Sequence, residues 1–209
     1  MDGLDRLIVG VDRFLRTVAG DHHAMRASPA AQSKDTNELR DDDRRHSTGL
    51  MRVNHAGEVC AQALYEGQAL TARTDDVRET LLRAAQEEED HLAWCRERLD
   101  ELDSKPSVLN PLFYGASFAL GAVTGLLGDK VSLGFVAATE EQVCEHLADH
   151  LERLPADDQR SRVVVEAMFE DEARHGTNAL TAGGAEFPAP VKAFMTFVSK
   201  LMTESTYRI

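Results

Sequence analysis

Six residues in this 209-residue chain carry a repeated pattern of potential chemistry. Glu88 and His91 stand three apart, and so do Glu172 and His175. On an α-helix that spacing places both side chains on one face, a turn apart, where they reach the same point. Each pair is preceded, one helical hairpin earlier, by a glutamate where an apolar residue is expected: Glu58 before the first, Glu140 before the second. Four buried carboxylates are costly unless something compensates their charge. Two divalent cations would, and two imidazoles would complete the donor set. Carboxylate and imidazole donors suit Fe or Mn better than Zn, so two Fe ions per chain are expected. Glu88 and Glu172 each share a turn with a histidine and are the natural bridges. Glu58 and Glu140 are then terminal ligands, with His91 and His175 on one ion each. A solvated acidic face could explain Glu87-Glu88-Glu89-Asp90 alone, but not a second copy with its own upstream glutamate.

Four amphipathic helices must position these groups. The first runs from Gly49 to Arg73 with Met51, His55, Glu58, Gln62, Tyr65 and Ala69 on its inner stripe. Thr74 is a suitable N-cap for the second, with Asp75 and Asp76 at its positive end. That helix carries Val77, Leu81, Ala84, Glu88, His91, Cys95, Leu99 and Leu102, and Lys105-Pro106 marks its end. The third carries Leu133, Val136, Glu140, Val143, Leu147 and His150, and stops at Pro155. The fourth carries Val165, Met168, Glu172, His175 and Ala179, and stops at Gly183-Gly184. One Glu on each of two helices and Glu-x-x-His on each of the others is the donor set of ferritin-like di-metal bundles. The expected fold is therefore all-α, a ferritin-like four-helix di-iron bundle with an added apolar membrane-associating helix or hairpin and a C-terminal amphipathic helix.

Further polar residues fall near this set. A metal-bound imidazole usually donates its remaining N–H to a carboxylate or carbonyl. Asp171 and Glu87 each precede a bridging glutamate and are placed to reach the histidine of the opposite helix. His55 suits a hydrogen-bonded core histidine better than an extra ligand. Tyr65 faces the site as packing rather than as a redox relay. His146 and His150 either line a substrate channel or satisfy polar interior positions. His22-His23 is a loop pair that suits solvent. Cys60, Cys95 and Cys144 are scattered with no CxxC, which fits a reducing compartment without disulfides, and suits core positions near the site.

Composition restricts the function classes. Hydrophobic residues at 43% and charged residues at 28% describe an ordinary globular domain. A net charge of −13 opposes nucleic-acid binding and purely electrostatic attachment to anionic lipid. No apolar leader is present at the N-terminus, where Asp2, Asp5 and Asp12 interrupt. Residues 4–18 form an amphipathic helix, and residues 20–47 lose periodicity and read as a mobile connection. We therefore divide the chain into 1–47, an N-terminal helix and linker, and 48–209, the bundle domain. Leu112 to Gly128 is a glycine-rich apolar run with no charge, which suits a membrane-associating helix or a re-entrant or interfacial hairpin better than a full span, with a buried core helix as the alternative. Gly121 and Gly125 in it form a GxxxG step that permits close helix approach. Residues 191–208 form a second amphipathic helix, at a membrane interface or on the bundle.

Arg52-Val53-Asn54-His55-Ala56-Gly57-Glu58, Glu88-Glu89-Asp90-His91-Leu92, Pro111-Leu112-Phe113 and Glu172-Ala173-Arg174-His175 together resemble the 3-demethoxyubiquinol 3-hydroxylase family of ubiquinone biosynthesis, bacterial branch. The resemblance spans residues 48–209. It implies a di-iron monooxygenase that hydroxylates a prenylated demethoxy-benzoquinol with O2, and peripheral attachment to membrane lipid on the cytoplasmic face of the cell membrane. It also implies an electron donor, NADH or a reductase, and assembly as a homo-oligomer or within a ubiquinone-biosynthesis complex. The family's six ligands fall on Glu58, Glu88, His91, Glu140, Glu172 and His175. An alternative from another class is a ferritin-like ferroxidase or iron-storage protein, which would leave the apolar run unexplained.

Overall fold

A long helix, α3 (Asp41–Thr71), is the spine of the molecule in this computed structural model. Asp41, Asp42 and Asp43 occupy its first turn, where the positive end of the helix dipole favours them. Arg44 and Arg45 pair with Asp41 and Asp42 one turn along. The helix thus begins within the stretch expected to be a mobile connection, and the 47/48 boundary lies inside it. It is buried on nearly every side, from Leu50 and Met51 through Val59 and Ala63 to Ala69. The structure describes residues 3–20, 22, 24–33 and 38–209, with side chains except those of residues 3–7 and 9.

The other described elements are also helices: α1 (Gly3–Ala19), α2 (Pro29–Gln32), α4 (Asp75–Glu101), α5 (Asn110–Leu127), α6 (Asp129–Arg153), α7 (Gln159–Thr181) and α8 (Ala189–Thr206). Thr74 caps α4 by accepting from the Val77 N–H, and Asp158 caps α7 by accepting from the Ser161 N–H. Gly183, at φ 100°, lies in the left-handed region and turns the chain at the end of α7. Helix α3 pairs with α4, and α6 pairs with α7; α4 meets α7 and α3 meets α6. These four make the bundle. Its apolar core has two ends. One holds Leu50, Met51, Cys95, Leu99, Leu147 and Met168; the other is alanine-rich, with Ala61, Ala69, Ala85, Ala137 and Ala179 around Tyr65 and Leu81. The six candidate ligands occupy the helix turns between them.

Of the two forms expected for the apolar run, helix or hairpin, the structure has one uninterrupted helix, α5. Its GxxxG glycines serve contact. A Cβ on Gly121 would strike the Leu64 carbonyl, and one on Gly125 would strike the Thr71 hydroxyl, so α5 lies against the α3 backbone. The opposite face exposes Leu112, Leu120, Val123, Leu126 and Leu127. No helix of the described residues is long and apolar enough to cross a membrane. Helix α8 is tied to the bundle by Lys192 to Glu141 and by Tyr207 to His46, and exposes Phe194, Phe197, Val198 and Leu201. Helix α1 tucks Phe14 against Tyr114 and leaves Ile8, Val11 and Leu15 exposed.

Candidate metal centre

The bundle brings all six residues together. Their potential ligand atoms form two groups, Glu58, Glu88, His91 and Glu172, and Glu88, Glu140, Glu172 and His175. Within each group those atoms lie no more than 4.8 Å apart. The two groups share Glu88 and Glu172, and each shared carboxylate divides its oxygens between them. Glu88 Oε2 lies 3.1 Å from His91 Nδ1 and Oε1 lies 3.2 Å from His175 Nδ1. Glu172 Oε1 lies 3.0 Å from His91 Nδ1 and Oε2 lies 3.3 Å from His175 Nδ1. Glu58 closes the first group, with Oε2 3.4 Å from His91 Nδ1. Glu140 closes the second.

Within the cluster four buried oxygens make no well-formed hydrogen bond, and those of Glu58, Glu88 and Glu172 face only an imidazole Nδ1: Glu58 Oε2, Glu88 Oε1, Glu140 Oε2 and Glu172 Oε1. One orphan on each of four fully buried carboxylates is a large unmet demand for positive charge. Hard divalent cations meet that demand chemically, and the donor set fits two of them. Both imidazoles turn Nδ1 inward and Nε2 outward. His91 Nε2 lies 3.0 Å from Asp171 Oδ2, and His175 Nε2 lies 2.9 Å from Glu87 Oε2. A proton held on Nε2 by these carboxylates leaves the Nδ1 lone pair free to bind a cation.

The family described as Ubiquinone biosynthesis protein COQ7 matches residues 45–206. The chain belongs to this family. The 3-demethoxyubiquinol 3-hydroxylase of Ectopseudomonas mendocina is 58% identical over 207 residues, which covers 99% of this chain and 96% of that protein. The enzymes of the same name from Pseudomonas paraeruginosa and from Pseudomonas aeruginosa strain PAO1 are each 56% identical over the same spans. In this COQ7-family chain all but about two residues are thus shared with relatives, including nearly all of the N-terminal segment outside the family match.

Without cations the cluster must balance itself with protons. Burial and repulsion from Glu88 and Glu172 raise Glu58 well above the usual carboxylate range, against the pull of His91. Burial, then repulsion from Glu172 and Glu88, raises Glu140 in the same way. Burial alone would raise Glu88, but its contacts with His175 and His91 outweigh that and pull it below its usual range. Burial alone would lower both histidines. Contacts with Asp171, Glu172, Glu58 and Glu88 nonetheless raise His91, and contacts with Glu172 and Glu88 lift His175 to about 12.

The remaining sequence-predicted residues divide into those at the cluster and those away from it. Tyr65 donates to Glu140 Oε1, so it fixes a ligand carboxylate besides filling the core. His55 lies outside both groups; Asn110 Nδ2 donates to its Nδ1 at 3.2 Å, and burial lowers it to about 3. His22 packs beside it, with ring centroids 6.1 Å apart, and His23 lies outside the described residues. His150 donates to Asn54 Oδ1 at 2.6 Å, and burial lowers it to about 4. His146 and His150 line a 730 Å³ groove that also includes Tyr207 and Arg208 but none of the six. A separate 430 Å³ cavity does reach the cluster, lined by Glu140, Glu172, Gly176, Ala137, Cys144 and Phe187. All three cysteines are free.

Several residues at the site escaped the sequence reading. Arg174 Nη1 pairs with Asp171 Oδ1 at 2.7 Å and Arg174 Nη2 pairs with Glu87 Oε2 at 2.6 Å, so it ties both outer carboxylates. Its position three after Asp171 was a usable signal. Arg26 reaches Asp90 and Asp171 from the N-terminal segment, and no local spacing marks it.

Proposed function

We propose that the protein is a di-iron monooxygenase that hydroxylates 3-demethoxyubiquinol, as its relatives are named to do. The observation that carries this reading is the orphan oxygen on each of four buried glutamates around two inward-facing Nδ1 atoms, in a chain of the COQ7 family. Glu58, Glu88, His91 and Glu172 would hold one ion; Glu88, Glu140, Glu172 and His175 would hold the other. Iron supplies the redox chemistry: O2 takes two electrons and two protons from a donor, one oxygen atom replaces a ring hydrogen as hydroxyl, and the other leaves as water.

The chain's own residues prepare for this. Tyr65 holds Glu140 in place, and Asp171 and Glu87 hold the histidines in the tautomer that presents Nδ1. The 430 Å³ cavity between α6, α7 and the segment before α8 admits a quinol ring to Glu140 and Glu172. A polyprenyl tail needs an apolar surface to leave the bilayer by. The exposed faces of α5 (Leu120, Val123, Leu127) and α8 (Phe194, Phe197, Leu201) offer one, at the cytoplasmic face of the cell membrane. Electrons come from NADH or a reductase.

Reduced protein supplied with isotopically labelled O2 and a demethoxyquinol should yield ring-hydroxylated product carrying the label. Label taken from water would defeat the monooxygenase reading. Iron uptake without any quinol product would return the protein to the ferroxidase class. In cell extracts the protein should remain with membranes in high salt and come off in detergent; release by salt alone would contradict an apolar contact.

A further inference from the structure

The N-terminal segment before α3 is fastened to the outside of the centre through one carboxylate. Asp90 is buried, and its Oδ1 accepts the backbone N–H groups of Met25, at 2.6 Å, and Arg26, at 3.2 Å. Asp90 Oδ2 accepts Arg26 Nε at 2.6 Å. Trp94, one turn along α4, donates its indole N–H to the Arg26 carbonyl at 3.2 Å and lies beneath the guanidinium, 4.7 Å from the ring centroid. These contacts fix Arg26 in one orientation. That orientation aims its free Nη2 at Asp171 Oδ2, 2.7 Å away. The same Oδ2 is the atom that meets His91 Nε2 at 3.0 Å.

We propose that Arg26 is a positioning residue for the His91 side of the centre, acting through Asp171. The guanidinium fork spans Asp90 on α4 and Asp171 on α7, and so fixes the distance between the helix that carries His91 and the helix that carries its partner. An arginine does this and a lysine cannot, because one fork must serve two carboxylates while stacking on an indole. Among the described residues the His175 side has no equivalent from the N-terminal segment: besides His175, Glu87 pairs with Arg174. The N-terminal segment therefore belongs to the centre and acts on one of its two positions.

This inference rests on the di-metal reading, and the test separates the two. Cobalt(II) is titrated into the full-length protein, its Arg26→Gln and Arg26→Lys variants, Asp171→Asn, and the Arg26→Gln/Asp171→Asn double variant. Proton resonances of the histidine Nε2–H groups are followed, with those of His91 and His175 assigned by Asp171→Asn and Glu87→Gln. Two ions should bind the unaltered protein. In Arg26→Gln and Arg26→Lys one ion should weaken about 10-fold, the range for loss of a partner behind a ligating histidine. The His91 signal should shift or broaden while that of His175 stays. The double variant should bind cobalt no more weakly than Asp171→Asn, since Arg26 acts through Asp171. Equal weakening of both ions, an additive double variant, or an unmoved His91 signal would overturn the role of Arg26. Arg26→Lys, which keeps the charge, gives the same readout if Arg26→Gln fails to fold. Failure of the unaltered protein to bind two cobalt ions would overturn the centre itself, and this proposal with it.

Discussion

The two halves of the centre are built from the same parts and finished differently. Each has an outer carboxylate on a histidine Nε2, and each shares Glu88 and Glu172. Around His91 the partner Asp171 is 6% exposed and pairs with Arg26, which Asp90 and Trp94 hold in place. Around His175 the partner Glu87 is 36% exposed, and the cavity beside Glu140 opens at this half. The repeated motif therefore supplies symmetry only at the ligands. Arg174 ties both outer carboxylates, but Arg26 covers one half and a cavity borders the other. A covered half holds its geometry against water, and the proposed route for a quinol ring lies at the other.

The shared carboxylates should respond most strongly to change, because they serve both halves. Glu172→Ala should lower the metal content from two ions to one or none, and activity by more than about 100-fold, beyond the usual effect of an outer partner. Elemental analysis measures the first effect. His91→Ala and His175→Ala should each cost one ion. Two ions retained in Glu172→Ala would remove Glu172 from the shared pair and leave Glu88 alone to join the halves.

The outer partners should separate the halves. Asp171→Asn should weaken metal binding about 10- to 100-fold. Glu87→Gln should do less, because water can replace a half-exposed hydrogen bond and cannot replace a buried one. Metal titration of the two variants gives the ratio; equal losses would show that burial of the partner does not matter. At the open half, a Cβ on Gly176 would stand 3.3 Å from the Glu140 Cβ, on the cavity wall. Gly176→Val should raise KM for a quinol several-fold while two ions remain, as steady-state rates and metal analysis would report. Unchanged KM would mean that the ring enters elsewhere.

What the sequence revealed follows the same division. The clustered glutamates were legible because helical periodicity makes a charged residue on an apolar stripe conspicuous: Glu58, Glu88, Glu140 and Glu172 each interrupt one. Asp171 and Glu87 were legible from their places beside the bridging glutamates. Arg26 was not, because its partners Asp90 and Asp171 lie far along the chain and residues 20–40 have no period to break. Close approach at Gly121 and Gly125 was legible from their GxxxG spacing, but the helix that meets them, α3, was not, because the residues they touch lie about 55 residues earlier in the chain. Tyr65 was placed at the site by its stripe, but its bond to Glu140 crosses between helices and leaves no trace in local spacing.

The smallest of these effects is in pH, and it differs between the centre and the core around it. Cations must displace protons from Glu58 and Glu140, both raised, and from His175, raised to about 12. Metal uptake should therefore release protons and tighten as pH rises. Calorimetry in buffers of different ionisation enthalpy measures the number released; none released would mean that the carboxylates are already ionised. The metal-free fold responds with the opposite emphasis at His55 and His150, lowered by burial to about 3 and about 4 from 6.5. A histidine whose folded value is depressed stays neutral in the fold and takes its proton in the unfolded chain first. Its contribution is whole above pH 6.5 and declines as pH falls toward the folded value, by about 1.4 kcal/mol per pH unit for each such group. Urea unfolding of metal-free protein between pH 7 and pH 5 should show this decline, and His150→Gln should flatten it. Gln can still donate to Asn54 but does not titrate in that range, so an unchanged slope in His150→Gln would assign the acid sensitivity to other groups.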